Sequence, residues 1–151
     1  MAGKRVINID EAHLPSASYL RKGWGVKGVE LRPHTKELGH SLGMIAAVDS
    51  NGASYFAISQ YSNGSRVFST FLQRLVITLD GEDTYWRDNT IIMLDGAVTH
   101  RSEETRRAMA ALRIPAVIAG PYGFDGSPCE KLFAHLKVGD LNPWSIKTGK
   151  R

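Results

Sequence analysis

Val6-Ile7-Asn8-Ile9-Asp10 is the stretch on which the reading of this 151-residue chain turns. Four residues rich in β-branched side chains make a short buried strand, and an acid closes it. The pattern returns at Thr90-Ile91-Ile92-Met93-Leu94-Asp95, so two apolar strands are expected to deliver two carboxylates. Between them lie Leu42 to Val48 and Ala53 to Ile58, separated by Asp49-Ser50-Asn51-Gly52. An Asn-Gly pair between β-rich runs predicts a hairpin, because both residues tolerate positive φ.

Phe68, Phe71, Leu72, Leu75, Val76 and Leu79 recur at spacings of three and four, which predicts a helix starting near 63–65 and ending before the polar Asp80-Gly81-Glu82-Asp83. Ser102 followed by Glu103 and Glu104 predicts a second helix, stopped by Pro115. Ala116 to Ala119 reads as a fifth strand and Gly120 to Gly126 as a loop. A last helix starts near Ser127, with Pro128 at its favoured first position, and reaches about Lys137. This succession implies an α/β or α+β domain with a mixed sheet, read as an α/β fold of five strands flanked by helices. One domain is expected over 1–138, with 139–151 as a loose tail.

The apolar fraction of 42% and charged fraction of 23% place the chain among ordinary globular domains rather than fibrous or disordered ones. No apolar stretch approaches the roughly 20 residues that cross a bilayer, so no membrane partner is expected. The N-terminus lacks a secretory pattern, and the single Cys129 fits a reducing compartment. The expected location is the nucleus in a eukaryotic host and the cytoplasm otherwise. A net charge of +4 and a pI near 9.3 favour a polyanionic partner. Arg21, Lys22, Lys27, Arg32 and Lys36 concentrate that charge in one stretch, as a phosphate-facing loop or a solvated surface would.

Acids at the ends of apolar strands are costly to desolvate unless a cation compensates them, and hard divalent ions do so. Asp10 and Asp95 are candidates, although position alone is equally consistent with turn acids. Glu130 has a competing role, because Ser127-Pro128-Cys129-Glu130 fits a capping box. His100, five residues after Asp95, could touch substrate or make a structural hydrogen bond. Cys129 reads as a packed side chain, with no base beside it in sequence. His13, His34, His40 and His135 have no zinc spacing. Trp24, Trp86 and Trp144 read as packing residues that could alternatively stack on bases or sugars.

These segments resemble the catalytic domain of mariner-like transposases. Val6 to Glu11 is similar to the family's first strand, with its catalytic aspartate followed by glutamate, and Arg21-Lys22-Gly23-Trp24-Gly25-Val26-Lys27-Gly28 to the basic segment after it. Ile91 to Ser102 resembles the second signature, and Gly120-Pro121-Tyr122 through Ser127-Pro128-Cys129-Glu130 to Lys137 the third. From Asp95 to Glu130 there are 34 intervening residues, the separation typical of one branch of that superfamily. Departures are Gly96 in place of Asn, Ser127 in place of Asn, Cys129 in place of Ile, and Gly123-Phe124 in place of Ser-Pro.

The resemblance implies a ribonuclease H-like fold and an Mg²⁺-dependent DNA endonuclease and strand transferase, with Mn²⁺ able to substitute and two ions per site. Asp10, Asp95 and Glu130 would be the catalytic and metal-binding residues, with Asp10 bridging both ions. Glu11, His100, Arg21, Lys22 and Lys27 would support them or contact DNA. Transposon ends and target DNA are the implied partners, with a possible homodimer. The helix-turn-helix region that reads transposon ends in the family is expected to be absent from this chain. A domesticated domain that only binds nucleic acid or protein, and another ribonuclease H-like nuclease acting on hybrids or junctions, are the alternatives.

Overall fold

The computed structural model describes residues 3–14, 41–60, 63–120 and 127–138. Five strands form one sheet: β1 (Arg5–Leu14), β2 (Leu42–Asp49), β3 (Ser54–Ser59), β4 (Thr90–Leu94) and β5 (Ala116–Ile118). Their order across the sheet is β3-β2-β1-β4-β5. β2 runs antiparallel to both β1 and β3, whereas β4 pairs parallel with β1 and with β5, so the sheet is mixed. Among the described residues five helices accompany it: α1 (Ser65–Glu82), α2 (Trp86–Asn89), α3 (Val98–Arg101), α4 (Glu103–Ala111) and α5 (Pro128–Val138).

The two-residue period of a strand sorts β1 into two faces. Ile7 and Ile9 pack with Ile45, Ala47, Ile92 and Leu94 against Phe68, Phe71, Leu72, Leu75, Val76 and Leu79 of α1. Met109 and Leu112, in and just after α4, close the edge of that core. Ala12 on the other face joins Met44 and Ala46 beneath Cys129 and Phe133 of α5. Both faces are covered, and full burial of each large apolar side chain contributes about 1.5–3 kcal/mol.

The hairpin forms as expected. Gly52 holds φ at +92°, where a Cβ would be strained, and Asp49 Oδ1 accepts from the amide of Asn51 at 2.8 Å. Asp49 has a second role, because its other oxygen receives Arg5 Nε at 2.5 Å. The Arg5 guanidinium also reaches the Tyr55 hydroxyl and Glu82, both at 3.1 Å, which ties β1, β2, β3 and the end of α1 together.

Four elements differ from the sequence reading. β1 does not stop at Asp10 but continues to Leu14, because β2 pairs with it as far as Leu14↔Leu42 after β4 has ended at Leu94. Asp10 thus closes the parallel pairing rather than the strand. α1 runs through Asp80-Gly81 to Glu82, where a turn was expected. The extra turn puts Asp80 within 2.8 Å of the Trp86 indole nitrogen and Glu82 beside Arg5 and Tyr55. The four-residue helices α2 and α3 are too short to leave a periodic signal, yet α2 carries Trp86 into the core.

α4 starts as read, with the Ser102 hydroxyl accepting from the Thr105 amide at 3.2 Å. It ends before Pro115, in a left-handed cap at Arg113 with φ of 52°. The Arg113 amide bonds to the Ala110 carbonyl at 3.1 Å and the Ile114 amide to the Met109 carbonyl at 3.0 Å, the paired bonds of a Schellman motif. Residues 15–40, 121–126 and 139–151, with the basic cluster, Trp24, Trp144, the Gly120–Gly126 loop beyond Gly120 and the expected tail, lie outside the described residues.

Candidate active site

The site grows from one register fact. β1 and β4 are parallel with Ile9 opposite Leu94, so the next residue of each chain, Asp10 and Asp95, arrive side by side. Adjacent strands lie about 4.8 Å apart, which sets two carboxylates beside one another at the end of the pairing. Asp10 stands on the α5 face together with Asn8 and Ala12, by alternation with the buried Ile7 and Ile9.

α5 is anchored over that face from below. The Ser127 hydroxyl donates to Asn8 Oδ1 at 2.6 Å, and the buried Cys129 thiol donates to the Asn8 carbonyl at 3.1 Å and lies 3.6 Å from the Ala46 carbonyl. These contacts point the first turn of α5, which carries Glu130, towards Asp10. The Ser127 hydroxyl is thereby engaged across the fold with Asn8. Sequence reading did not single out Asn8, though a lone polar residue within Val6-Ile7-Asn8-Ile9 was the available signal.

Burial raises the Asp10 carboxyl above the ordinary aspartate range, and the charges of Asp95 and Glu130 raise it further. The Glu11 amide, donating to Asp10 Oδ1 at 2.7 Å, and His100 work in the opposite direction. The three acids singled out in the sequence therefore share one electrostatic environment. Among the described residues no three His, Cys, Asp or Glu side chains form a closed metal-binding cluster. Glu130 is exposed, with the rotatable bonds of a glutamate between its backbone and the other two acids. An all-oxygen set of mutually repelling carboxylates is the donor chemistry that hard divalent cations take, so these residues fit such an ion.

Glu11, one residue on, faces the opposite side of the sheet, where burial and the charges of Asp10 and Asp95 push its carboxyl up to about 7. It meets His100, which is 1% exposed and stacks against Phe68 of α1 with ring centroids 4.4 Å apart. His100 Nδ1 lies 2.5 Å from Asp95 Oδ1 and 3.2 Å from the Asp95 carbonyl oxygen, and Nε2 is 4.0 Å from Glu11 Oε1. Of the two roles considered for His100, burial selects the structural hydrogen bond over direct contact with substrate. Phe68, read only as a core residue, also holds this ring.

Cys129 is buried and pushed up to about 12 by that burial and by Asp10, which fits a packed residue rather than a nucleophile. Gly96, where Asn was expected from the family pattern, has room for a side chain: a Cβ there would meet only the Ala119 carbonyl oxygen at 3.8 Å. His13 and His135 are exposed. Arg21, Lys22 and Lys27 lie outside the described residues.

Comparison with known proteins follows the same architecture. The fold matches the Mos1 pre-cleavage transpososome at TM-score 0.66 and 17% identity, covering 88% of this chain and 42% of that one. It matches the mariner Mos1 paired end complex with Mg at TM-score 0.65 and 20% identity, covering 89% and 41%. A simian T-cell lymphotropic virus intasome in complex with a PP2A regulatory subunit matches at TM-score 0.59 and 15% identity, covering 90% and 39%. The mixed five-stranded sheet is thus the ribonuclease H-like fold expected from the sequence, and the chain spans about two fifths of the length of these relatives. No curated protein matches the sequence. The family model described as DDE superfamily endonuclease matches residues 5–148, almost the entire chain, and the protein therefore belongs to that family.

Proposed function

We propose that this chain is the catalytic core of a DNA transposase, a metal-dependent nuclease and strand transferase acting on transposon ends and target DNA. The observation that carries the reading is the register of Ile9 opposite Leu94, which brings Asp10 and Asp95 together, with the first turn of α5 and its Glu130 seated over that face by the Ser127 and Cys129 contacts to Asn8. Membership of the DDE superfamily endonuclease family supports the chemistry. The Mos1 complexes with Mg and with Mn support the choice of ion.

In this reading Asp10, Asp95 and Glu130 would hold the ions. Two bound Mg²⁺ or Mn²⁺ ions would supply the positive charge that in-line displacement at phosphorus needs on its attacking and leaving oxygens. The protein's own part is geometric. β1 and β4 fix the spacing of two acids through backbone register, and the Asn8, Ser127 and Cys129 contacts seat the helix that brings the third. The cluster at Arg21, Lys22 and Lys27 would contact DNA phosphates, and a homodimer and a separate helix-turn-helix region would supply pairing of ends and sequence recognition.

Incubating the protein with supercoiled and transposon-end duplex DNA tests the reading. Nicking is expected with Mg²⁺ or Mn²⁺, absent with chelator and absent in Asp95→Asn. Equal cleavage by Asp95→Asn refutes the assignment of the site. Retention of DNA with no cleavage and no divalent-ion binding at millimolar concentration points instead to a binding module.

A further inference from the structure

We propose that His100 is a positioning residue for Asp95: held between Asp95 and Glu11, its imidazole occupies Oδ1 of Asp95 and leaves Oδ2 as the oxygen presented to a divalent ion. The inference rests on the carboxylate site described under the proposed function, and deepens it by saying what aims one of its acids.

Asp95 needs such a device. It follows the last residue of β4 and lies in the irregular segment 95–97, so no strand pairing fixes its side chain. Two nitrogens converge on one of its oxygens: the Ala97 amide donates to Oδ1 at 2.9 Å, and His100 Nδ1, 3.2 Å from the Asp95 main-chain carbonyl oxygen, stands 2.5 Å from the same Oδ1. Nδ1 faces only acceptors, Oδ1 and the Asp95 carbonyl oxygen, so it carries the ring proton. The ring cannot swing away, because Phe68 lies against it and it is almost wholly buried.

The far side of the ring supplies an independent observation. His100 Nε2 and Glu11 Oε1 are both buried, both without a hydrogen-bond partner among the described residues, and 4.0 Å apart. Leaving two such atoms unmatched is costly, and a small rotation of the Glu11 side chain brings them to bonding distance. Closing that gap, with a protonated Glu11 carboxyl donating to the bare Nε2, makes a carboxyl–imidazole–carboxylate chain running from β1 to the end of β4. Residues that hold a metal ligand in orientation are typically worth roughly 10–100-fold in metal affinity when removed.

Mn²⁺ titration of the full chain, followed by electron paramagnetic resonance, tests the idea with ¹⁵N spectra of the histidine rings as a second readout. His100→Ala is expected to weaken Mn²⁺ binding by roughly 10–100-fold. His100→Asn, whose amide nitrogen takes the place of Nδ1, is expected to restore most of it, whereas His100→Gln places its amide nearer Nε2 and should not. The wild-type Nδ1 proton of His100 is expected to be observable and to be lost in Asp95→Ala.

Mn²⁺ binding unchanged in folded His100→Ala but lost in Asp10→Asn overturns the positioning role and leaves the carboxylate site standing. Gln restoring binding better than Asn overturns it as well, and this comparison serves if the Ala variant does not fold. If the wild type binds no Mn²⁺, the carboxylate site itself fails. The Nδ1 proton then decides the clamp alone: a proton on Nε2 only, with Nδ1 bare, removes it.

Discussion

Glu11→Gln should change how the stability of this protein depends on pH. In the folded chain the Glu11 carboxyl is pushed up from 4.5 to about 7, first by burial and then by Asp10 and Asp95. The folded state therefore holds this proton more tightly than the unfolded chain does. The resulting stability is fully present below about pH 4.5 and is lost as pH rises through about 7. At 1.36 kcal/mol for each pH unit, the interval from 4.5 to about 7 sets a ceiling of about 3 kcal/mol. The side chain keeps 19% of its exposure, so screening by water reduces the figure, and about 1–3 kcal/mol is expected. Glutamine has nearly the same shape and no proton to lose. Urea denaturation of the two proteins in chelator, from pH 4.5 to 8, isolates the effect because Asp10 titrates in both. The curves should nearly coincide at pH 4.5, with Glu11→Gln more stable by about 1–3 kcal/mol at pH 8. A difference that stays constant across the range would show that Glu11 is not held in the environment described, and the reasoning from its burial would fail.

Two further outcomes follow from the frame around the site. Arg113 sits at φ 52° as the left-handed residue of a helix cap. Arg113→Gly should raise stability by about 1 kcal/mol, the ordinary cost of a side chain in that conformation, as an increase in the urea midpoint. A loss would mean that the arginine side chain contributes more than its backbone costs. Asp49→Ala should be the more damaging change, because it removes the principal partner of Arg5, whose side chain is only 17% exposed, and a brace of the β2–β3 turn. About 3 kcal/mol is expected by the same measurement, and a loss below about 1 kcal/mol would show that Glu82 and Tyr55 suffice to hold Arg5.

How far the sequence carried this structure depends on whether local pattern or tertiary pairing decides each feature. Apolar β-rich runs identify the five strands of the described sheet, and periodicity in α1 and start residues in α4 and α5 identify the three longer helices, because these signals are written in neighbouring residues. Boundaries follow partners instead. Asp80-Gly81-Glu82 reads as a turn in isolation, and becomes helical where Trp86, Arg87, Arg5 and Tyr55 wait for its side chains. β1 outlasts its apolar run because β2 continues to pair with it. The site divides the same way. The acids were legible as candidates, but their adjacency is a matter of register, Ile9 opposite Leu94, which no local window contains. Asn8 and Phe68 were hidden because their roles are defined by residues 119 and 32 positions away, Ser127 and His100.

Asp10 and Glu11 are neighbours in sequence, and the pleat sends them to opposite faces of the sheet, one under α5 and the other against His100 and the α1 core. A consequence is that charge at the proposed metal site is felt by the hydrophobic core through the backbone of a single strand. Ionising Glu11 costs the fold up to about 3 kcal/mol near neutral pH. Saturating a site with ligand at 100 times its dissociation constant returns about 2.7 kcal/mol. The two magnitudes are comparable, so a divalent ion held by Asp10, Asp95 and Glu130 would offset at neutral pH a cost that the burial of Glu11 sets and the charges of Asp10 and Asp95 increase. On this account the repulsion among the acids that their few partners within the protein leave uncompensated is the same property that would make them bind a cation.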